Sequence, residues 1–308
     1  MSRDKAAPYI SGITYATIFG FSFMVTKNAL DHIQPFHFLG LRFLLAALLM
    51  TLLIVLKIVK VNYKGKNIKP LLLLSLLQPI SYFIGEIYGV KHISSSQAGM
   101  MIALIPIVVV VFSILFLKEY INIKQAICIV LSVAGVLLMG IMQTDTSGVE
   151  SNAIGFFFIL FAVIAGAGFS VTSRKLSLNY NPFELTYVMM LVGAVIFNVL
   201  GVIQFTSVNN LSEYFNPIRD LNVTKALLYL SLLSSIVAFG LMNFTLSKIP
   251  AARASLFANL TTVISVVAGV VFRDEPFFWY HFLSGIMILT GVIGVNRFAH
   301  KTIVEVQK

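Results

Sequence analysis

The sequence predicts an all-α integral membrane protein with ten transmembrane helices, arranged as two inverted repeats of five. Three observations predict it. Hydrophobic residues fill 58% of the 308 positions and charged residues 11%, with a mean hydropathy of +0.92, far from the mix of a soluble domain. The apolar residues gather into continuous runs near the ~20 residues a helix needs to cross a bilayer, with no ten-residue alternation of the barrel kind. A shift of 156 positions lays Leu74 to Gly140 on Leu230 to Asn296 without a gap, so that Leu74-Ser75-Leu76-Leu77 meets Leu230-Ser231-Leu232-Leu233, Glu119 meets Glu275, and Gly135-Val136 meets Gly291-Val292. The chain is a duplication, with repeats assigned to residues 1–145 and 146–308.

The first run, Tyr9 to Ala29, is too long for a signal-peptide core and lacks a small-residue cleavage site, so it reads as a retained helix. The second, Phe36 to Ile58, carries Arg42 about six residues, or ~9 Å, from its start. The third, Pro70 to Tyr88, holds Ser75, Gln78, Tyr82 and Glu86 at spacings that put all four on one face. Pro79 interrupts the third run and Pro106 the fourth, Ala98 to Leu117, which makes both prolines hinge candidates. Their repeat partners are Ser235 and Thr262, so bending is expected to separate the two copies. The fifth run, Lys124 to Met142, contains the single cysteine, Cys128, read as a small hydrophobe.

The sixth run, Ala153 to Ser173, contains Gly166-Ala167-Gly168, small residues that permit close helix approach. The seventh spans Phe183 to Phe205, and the polar segment Thr206 to Thr224 after it is the longest connection. The eighth, Lys225 to Leu246, carries Asn243, and the ninth, Arg253 to Phe272, carries Ser255, Asn259 and Thr262 on one face. The tenth is Trp279 to Arg297.

Loop charge sets the orientation. Of the 22 Lys and Arg residues, sixteen fall at the connections on the side of the N-terminus, and the opposite side has Lys27, Lys91, Arg219, Lys225 and Arg273. By the positive-inside rule both termini are cytoplasmic and the protein sits in the cell membrane. The formal charge of +10 is accounted for by this bias, and no nucleic-acid partner is needed. Five spans per copy is an odd number, so the second copy enters the bilayer upside down.

At this point the residues resemble a known family, the EamA branch of the drug/metabolite transporter superfamily. The likeness is carried by Phe19-Gly20-Phe21-Ser22-Phe23 with Lys27, by Arg42-Phe43, and by Tyr88-Gly89-Val90-Lys91-His92-Ile93-Ser94-Ser95-Ser96-Gln97-Ala98 leading to Pro106 and Phe116-Leu117-Lys118-Glu119. In the second copy it is carried by Ser247-Lys248-Ile249-Pro250-Ala251-Ala252-Arg253-Ala254-Ser255 and Asp274-Glu275-Pro276. Two departures stand out, Phe19 in place of the usual tryptophan and Thr262 in place of a proline. The resemblance implies ten helices, cytoplasmic termini and export of small metabolites, often amino acids.

Arg42 and Glu86 are the two charges clearly inside spans, and each costs ~2.5–3.5 kcal/mol near the bilayer centre, so each needs a reason to be there. Their similar depth on consecutive helices suggests a pair. Arg42 is also a candidate for a substrate carboxylate and Glu86 for a proton, readings that compete because an engaged carboxylate is not free to carry one. The path-lining candidates are Gln78, Tyr82, Glu86, Arg42, Asn243 and Asn259, with Phe19 and Phe257 as aromatic walls. The expected substrate site lies near mid-membrane, walled by helices one, three, four, six, eight and nine.

An enzyme is not expected. Gly20-Phe21-Ser22-Phe23 has the outline of an intramembrane protease motif, but His32, His37, His92, His281 and His300 all lie at or near loops. Neither C-x-x-C nor H-E-x-x-H occurs, and no metal or cofactor is implied. The sequence therefore reads as a secondary transporter exporting a small metabolite, with an amino acid first, by alternating access between the repeats. Protons are the candidate coupling ion, and the oligomeric state is not legible. A multidrug or nucleoside exporter or a facilitative exchanger of the same fold is the alternative, and a receptor or membrane enzyme the reading from another class.

Overall fold

The structure, a computed structural model, describes residues 3–117, 122–142, 149–206 and 213–298. All the regular structure among them is helical. The first repeat comprises α1 (Arg3–Leu30), α2 (Pro35–Val55), α3 (Lys69–His92), α4 (Ser95–Ile102, resuming as Ile105–Leu117) and α5 (Ile123–Met142). The second comprises α6 (Val149–Leu176), α7 (Pro182–Thr206), α8 (Leu221–Lys248), α9 (Ala251–Ala254, resuming as Phe257–Arg273) and α10 (Trp279–Phe298). Seven helices are long and apolar enough to span a membrane, and α5, the main part of α9 and α10 are shorter apolar helices. The helices follow the apolar runs except at their ends. α3 continues to His92 and α8 begins at Leu221, because polar residues such as Lys91 and Asn222 end an apolar run without ending the helix. Glu119 and the expected repeat boundary lie outside the described residues.

Exposed large hydrophobics such as Leu48, Leu52 and Val55 on α2 and Val195, Val199 and Ile203 on α7 clothe the outside, a surface stable only against lipid. Inside, Phe38, Phe43, Phe169, Phe197 and Phe239 are fully buried.

The packing is two-fold. The most extensive interfaces join repeat-equivalent helices, α2 with α7 and α5 with α10, and the contact of α3 with α6 is answered by that of α8 with α1. At the α5–α10 seam the symmetry is visible atom by atom. Ser132 Oγ donates to the carbonyl of Ile288 at 3.0 Å, its own repeat partner. A Cβ on Gly135 would press on Ile288, and one on Gly291 would overlap Ser132 and the Cys128 carbonyl. A contact returned in this exchanged form marks a two-fold axis, which runs in the membrane plane because the paired helices are antiparallel.

The expectation that bending separates the copies is corrected. α3 contains a wide π turn at Leu76–Ser81 and α8 one at Tyr229–Ala238, which coincide at the repeat shift. In α3 Gln78 leaves the helix altogether (φ −150°, ψ 119°), because a residue before proline is pushed to extended backbone. α4 breaks just ahead of Pro106, yet α9 breaks at Ser255-Leu256 without a proline. Both copies bend, the first with Pro79 and Pro106 at its breaks and the second without prolines there.

Polar clamps close the ends. On the face opposite the N-terminus, Lys27 Nζ donates to the carbonyls of Val90, Lys91 and Ile93 at 2.6, 3.2 and 2.9 Å. On the N-terminal face Arg174 Nη1 donates to Leu246 and Ser247 carbonyls at 2.9 and 2.7 Å, the repeat partners of Val90 and Lys91. Cations thus cap the C-terminus of the third helix of each copy, where the helix dipole favours them.

The opposite face has two further ties between repeats. Arg273 at the end of α9 bonds Asn28 and pairs with Asp31 of α1 at 2.9 Å. Glu275 receives the backbone N–H and hydroxyl of Ser95 at 2.9 and 2.7 Å and those of Ser96 at 2.9 and 2.6 Å, sealing the N-terminus of α4. Burial alone would raise the Glu275 carboxyl, but the bonds from Ser96 and Ser95 outweigh it and hold it below the usual carboxylate range.

Candidate functional site

The bends of α3, α8, α4 and α9 leave a cavity at the meeting of the two repeats, about 720 Å³ of unfilled space with its mouth included. Its walls come from α1, α3, α4, α6, α8 and α9, and α2 joins them through Arg42.

Arg42 enters from α2 and is 1% exposed. Its Nε donates to Ser235 Oγ and its Nη2 to Ser234 Oγ, both at 3.1 Å, and its guanidinium lies over the Phe83 ring with Cζ 4.4 Å from the centroid. Ser231 Oγ adds a bond to the Arg42 carbonyl at 2.9 Å. Nη1 is buried and has no partner. Two serines of α8 therefore hold the guanidinium of the other repeat and a third holds the backbone of the same residue, which satisfies two of the five N–H donors and leaves Nη1 without a partner.

Glu86 lines the same cavity from α3 and is 4% exposed. The expected pair with Arg42 is corrected, since among the described residues no ion pair within 4.0 Å joins them, and the guanidinium turns to the α8 serines instead. The serines that take it lie within the π turn of α8, which packs against α2. Gln78 lines the cavity too, with its Oε1 buried and unpartnered, because the break at that residue points the amide away from any helical neighbour.

The remaining lining is apolar and aromatic. Phe19 packs edge-on to Tyr15 and Phe239, with centroids 5.8 and 5.2 Å apart. Tyr82 and Phe83 meet edge-on at 5.2 Å, the favoured arrangement for rings that present both faces and edges. Tyr15 OH donates to the Ala254 carbonyl at 3.1 Å, joining α1 to α9 toward the N-terminal face.

Five of the eight sequence candidates, Arg42, Gln78, Tyr82, Glu86 and Phe19, line this cavity together. Three do not. Asn243 is fully buried among α6, α7 and α8, where its Oδ1 accepts from Ser173 Oγ at 2.7 Å and its Nδ2 donates to Thr186 Oγ1 at 3.0 Å. Phe257 fills the space over Gly12 and meets Tyr9 and Tyr15 edge-on. Asn259 is rotated off the wall, because after its break α9 turns Ala254, Ser255, Ala258 and Thr261 to the cavity. Sequence reasoning missed Ser234 and Ser235 as partners of Arg42. The repeat shift pairs them with Gln78 and Pro79, a signal that was available.

The comparisons agree with this architecture. The model of the EamA-like transporter family matches twice, over residues 7–141 and 153–297. The chain is 36% identical over 297 residues to the uncharacterized transporter YcxC of Bacillus subtilis, covering 96% of this chain and 95% of that protein. It is 27% identical to the uncharacterized transporter YetK of the same organism, covering 94% and 87%, and 26% identical to an uncharacterized transporter of Archaeoglobus fulgidus, covering 91% and 95%. A solved crystal structure with 15% identity superposes with a TM-score of 0.68 over 96% of this chain and 97% of its own, a likeness of fold. A multi-pass membrane protein of two antiparallel repeats, matched along nearly its whole length by such relatives, belongs to the EamA-like transporter family.

Proposed function

We propose that the chain exports a small zwitterionic metabolite, an amino acid in the leading case, across the cell membrane, with both termini in the cytoplasm. The observation that carries the reading is the cavity's pair of opposite charges held apart: Nη1 of Arg42 has no partner, and no described residue donates a hydrogen bond to Glu86. A carboxylate on Arg42 and an ammonium on Glu86 supply the missing partners, and a charge-assisted bond of this kind contributes about 1.5–3 kcal/mol. An aromatic cavity alone would suit a flat drug-like or nucleoside ligand equally well; the separated charges favour the amino acid. Gln78, Tyr82 and Phe19 complete the proposed site, and Pro79 and Pro106 mark the hinges about which the repeats rock.

Transport in this reading alternates between the two clamped faces around a fixed site. Purified protein in liposomes, loaded with unlabelled leucine and given labelled leucine outside, tests it by counterflow, with and without a pH gradient. Accelerated exchange is expected, and Arg42→Gln should lower it by about 10- to 100-fold at low substrate, the worth of one charge-assisted bond. Uptake that ignores every amino acid sinks the reading. A gradient effect would identify the proton as coupling ion, and its absence facilitated exchange.

A further inference from the structure

The repeat shift exposes an asymmetry in the cavity that bears on which amino acids fit. Glu86 and Met242 stand 156 positions apart, and both line the cavity. Gln78 and Ser234 are a second such pair, again both in the wall. In the second helices Pro35-Phe36 matches Pro182-Phe183, which puts Met189 at the place of Arg42. Where the first copy has a carboxylate and a guanidinium, the second has two thioethers.

The consequence is a site with charge on one wall only. Among the described residues that line it, only Arg42 and Glu86 are charged. The α8 and α9 side past Ser234 is built of Phe239, Met242, Leu246, Ala254 and Ala258, with the hydroxyls of Ser255 and Thr261 as its polar atoms. Phe239 is fully buried and meets Phe19, Phe83 and Phe169. In the proposed site a head group held by Arg42 and Glu86 directs its side chain toward this wall. An ammonium or carboxylate arriving there finds no counter-charge, and a buried charge without a partner is strongly rejected.

We propose that Met242 is the specificity-determining residue of the site and that the protein selects amino acids with uncharged, apolar side chains over basic and acidic ones. Methionine suits the role because its unbranched, polarizable side chain adapts to apolar groups of differing shape. This rests on the amino-acid reading of the same cavity.

The test is ligand-induced stabilisation of the full-length purified protein against thermal unfolding, with L-leucine, L-phenylalanine, L-lysine and L-glutamate each titrated alone. Leucine and phenylalanine should bind at least about 10-fold more tightly than lysine or glutamate, the least that an unpartnered buried charge costs. Met242→Glu should recover lysine binding by about tenfold or more and weaken leucine, whereas Met242→Leu should keep the native order. Equal binding of all four by the native protein overturns the proposal while leaving the amino-acid reading intact. An unchanged order in a folded Met242→Glu protein overturns the role of Met242. Stabilisation by none of the four overturns both readings together. Should Met242→Glu not fold, the native panel and Met242→Gln, expected to admit lysine weakly, decide.

Discussion

Replacing Glu275 by glutamine keeps the size of the side chain but removes its charge and turns one of two acceptor oxygens into a donor. Glu275 is 8% exposed and takes four hydrogen bonds from Ser95 and Ser96, so the change falls on a desolvated contact and not on a screened surface pair. The amide oxygen retains two bonds at neutral strength, while the new NH₂ faces a backbone N–H that has no other acceptor. Weakening two charge-assisted bonds and orphaning one donor adds to about 3–5 kcal/mol. At ~2–4 °C per kcal/mol for a chain of this size, the variant should unfold roughly 10 °C lower. Thermal unfolding in detergent at pH 7 measures it. The pH dependence has a definite sign, because the folded carboxyl lies below its ordinary value of 4.5. Its contribution is complete above that value and is lost as pH falls through the lower folded value. Native protein should therefore lose on acidification part of what the variant never had. A melting point within ~2 °C of native at pH 7, or equal acid sensitivity in both proteins, would refute the reasoning.

The pairing of Arg273 with Asp31 ties the repeats on the face opposite the N-terminus, whereas Lys66 and Glu184 tie them on the N-terminal face at 2.7 Å. The position 147 on from Asp31 is Leu178, which is exposed. Breaking a half-exposed pair costs ~1 kcal/mol at most, a roughly fivefold shift in population. Asp31→Ala should therefore raise thiol labelling of a Thr26→Cys, Cys128→Ser protein from that face by about this factor, and exchanging the two charges should restore it; unchanged labelling removes the clasp from the gating scheme. At the two-fold seam, Gly291→Val drives methyls into Ser132 and the Cys128 carbonyl. Overpacking of this kind costs about 1–3 kcal/mol, measurable as a lowered melting point. Ser132→Ala should not rescue it, because the backbone carbonyl remains; full rescue would mean that the close approach is to the side chain alone.

Periodicity and composition by themselves determined the ten helices, their inverted duplication and the placement of Arg42 and Glu86 as buried charges within two of them, because lipid demands long apolar helices and makes every buried charge conspicuous. The unbroken 156-position shift also carried the two-fold plan, visible in the exchanged contacts of Ser132, Gly135, Ile288 and Gly291. What only the tertiary structure decided is which neighbour each polar group meets. Arg42 and Glu86 are expected at similar depth from their places in the sequence, but depth is one coordinate of three. The packing of α8 against α2 gave the guanidinium to Ser234 and Ser235 instead. Asn243 and Asn259 read as cavity residues for the same reason that polar residues in spans always do, yet one is consumed in packing α6, α7 and α8, and the other is turned aside by the break at Ser255-Leu256. That break has no proline to announce it. Helical phase after an unannounced break is set by the packing of neighbouring helices, a long-range effect that no local pattern of residues records.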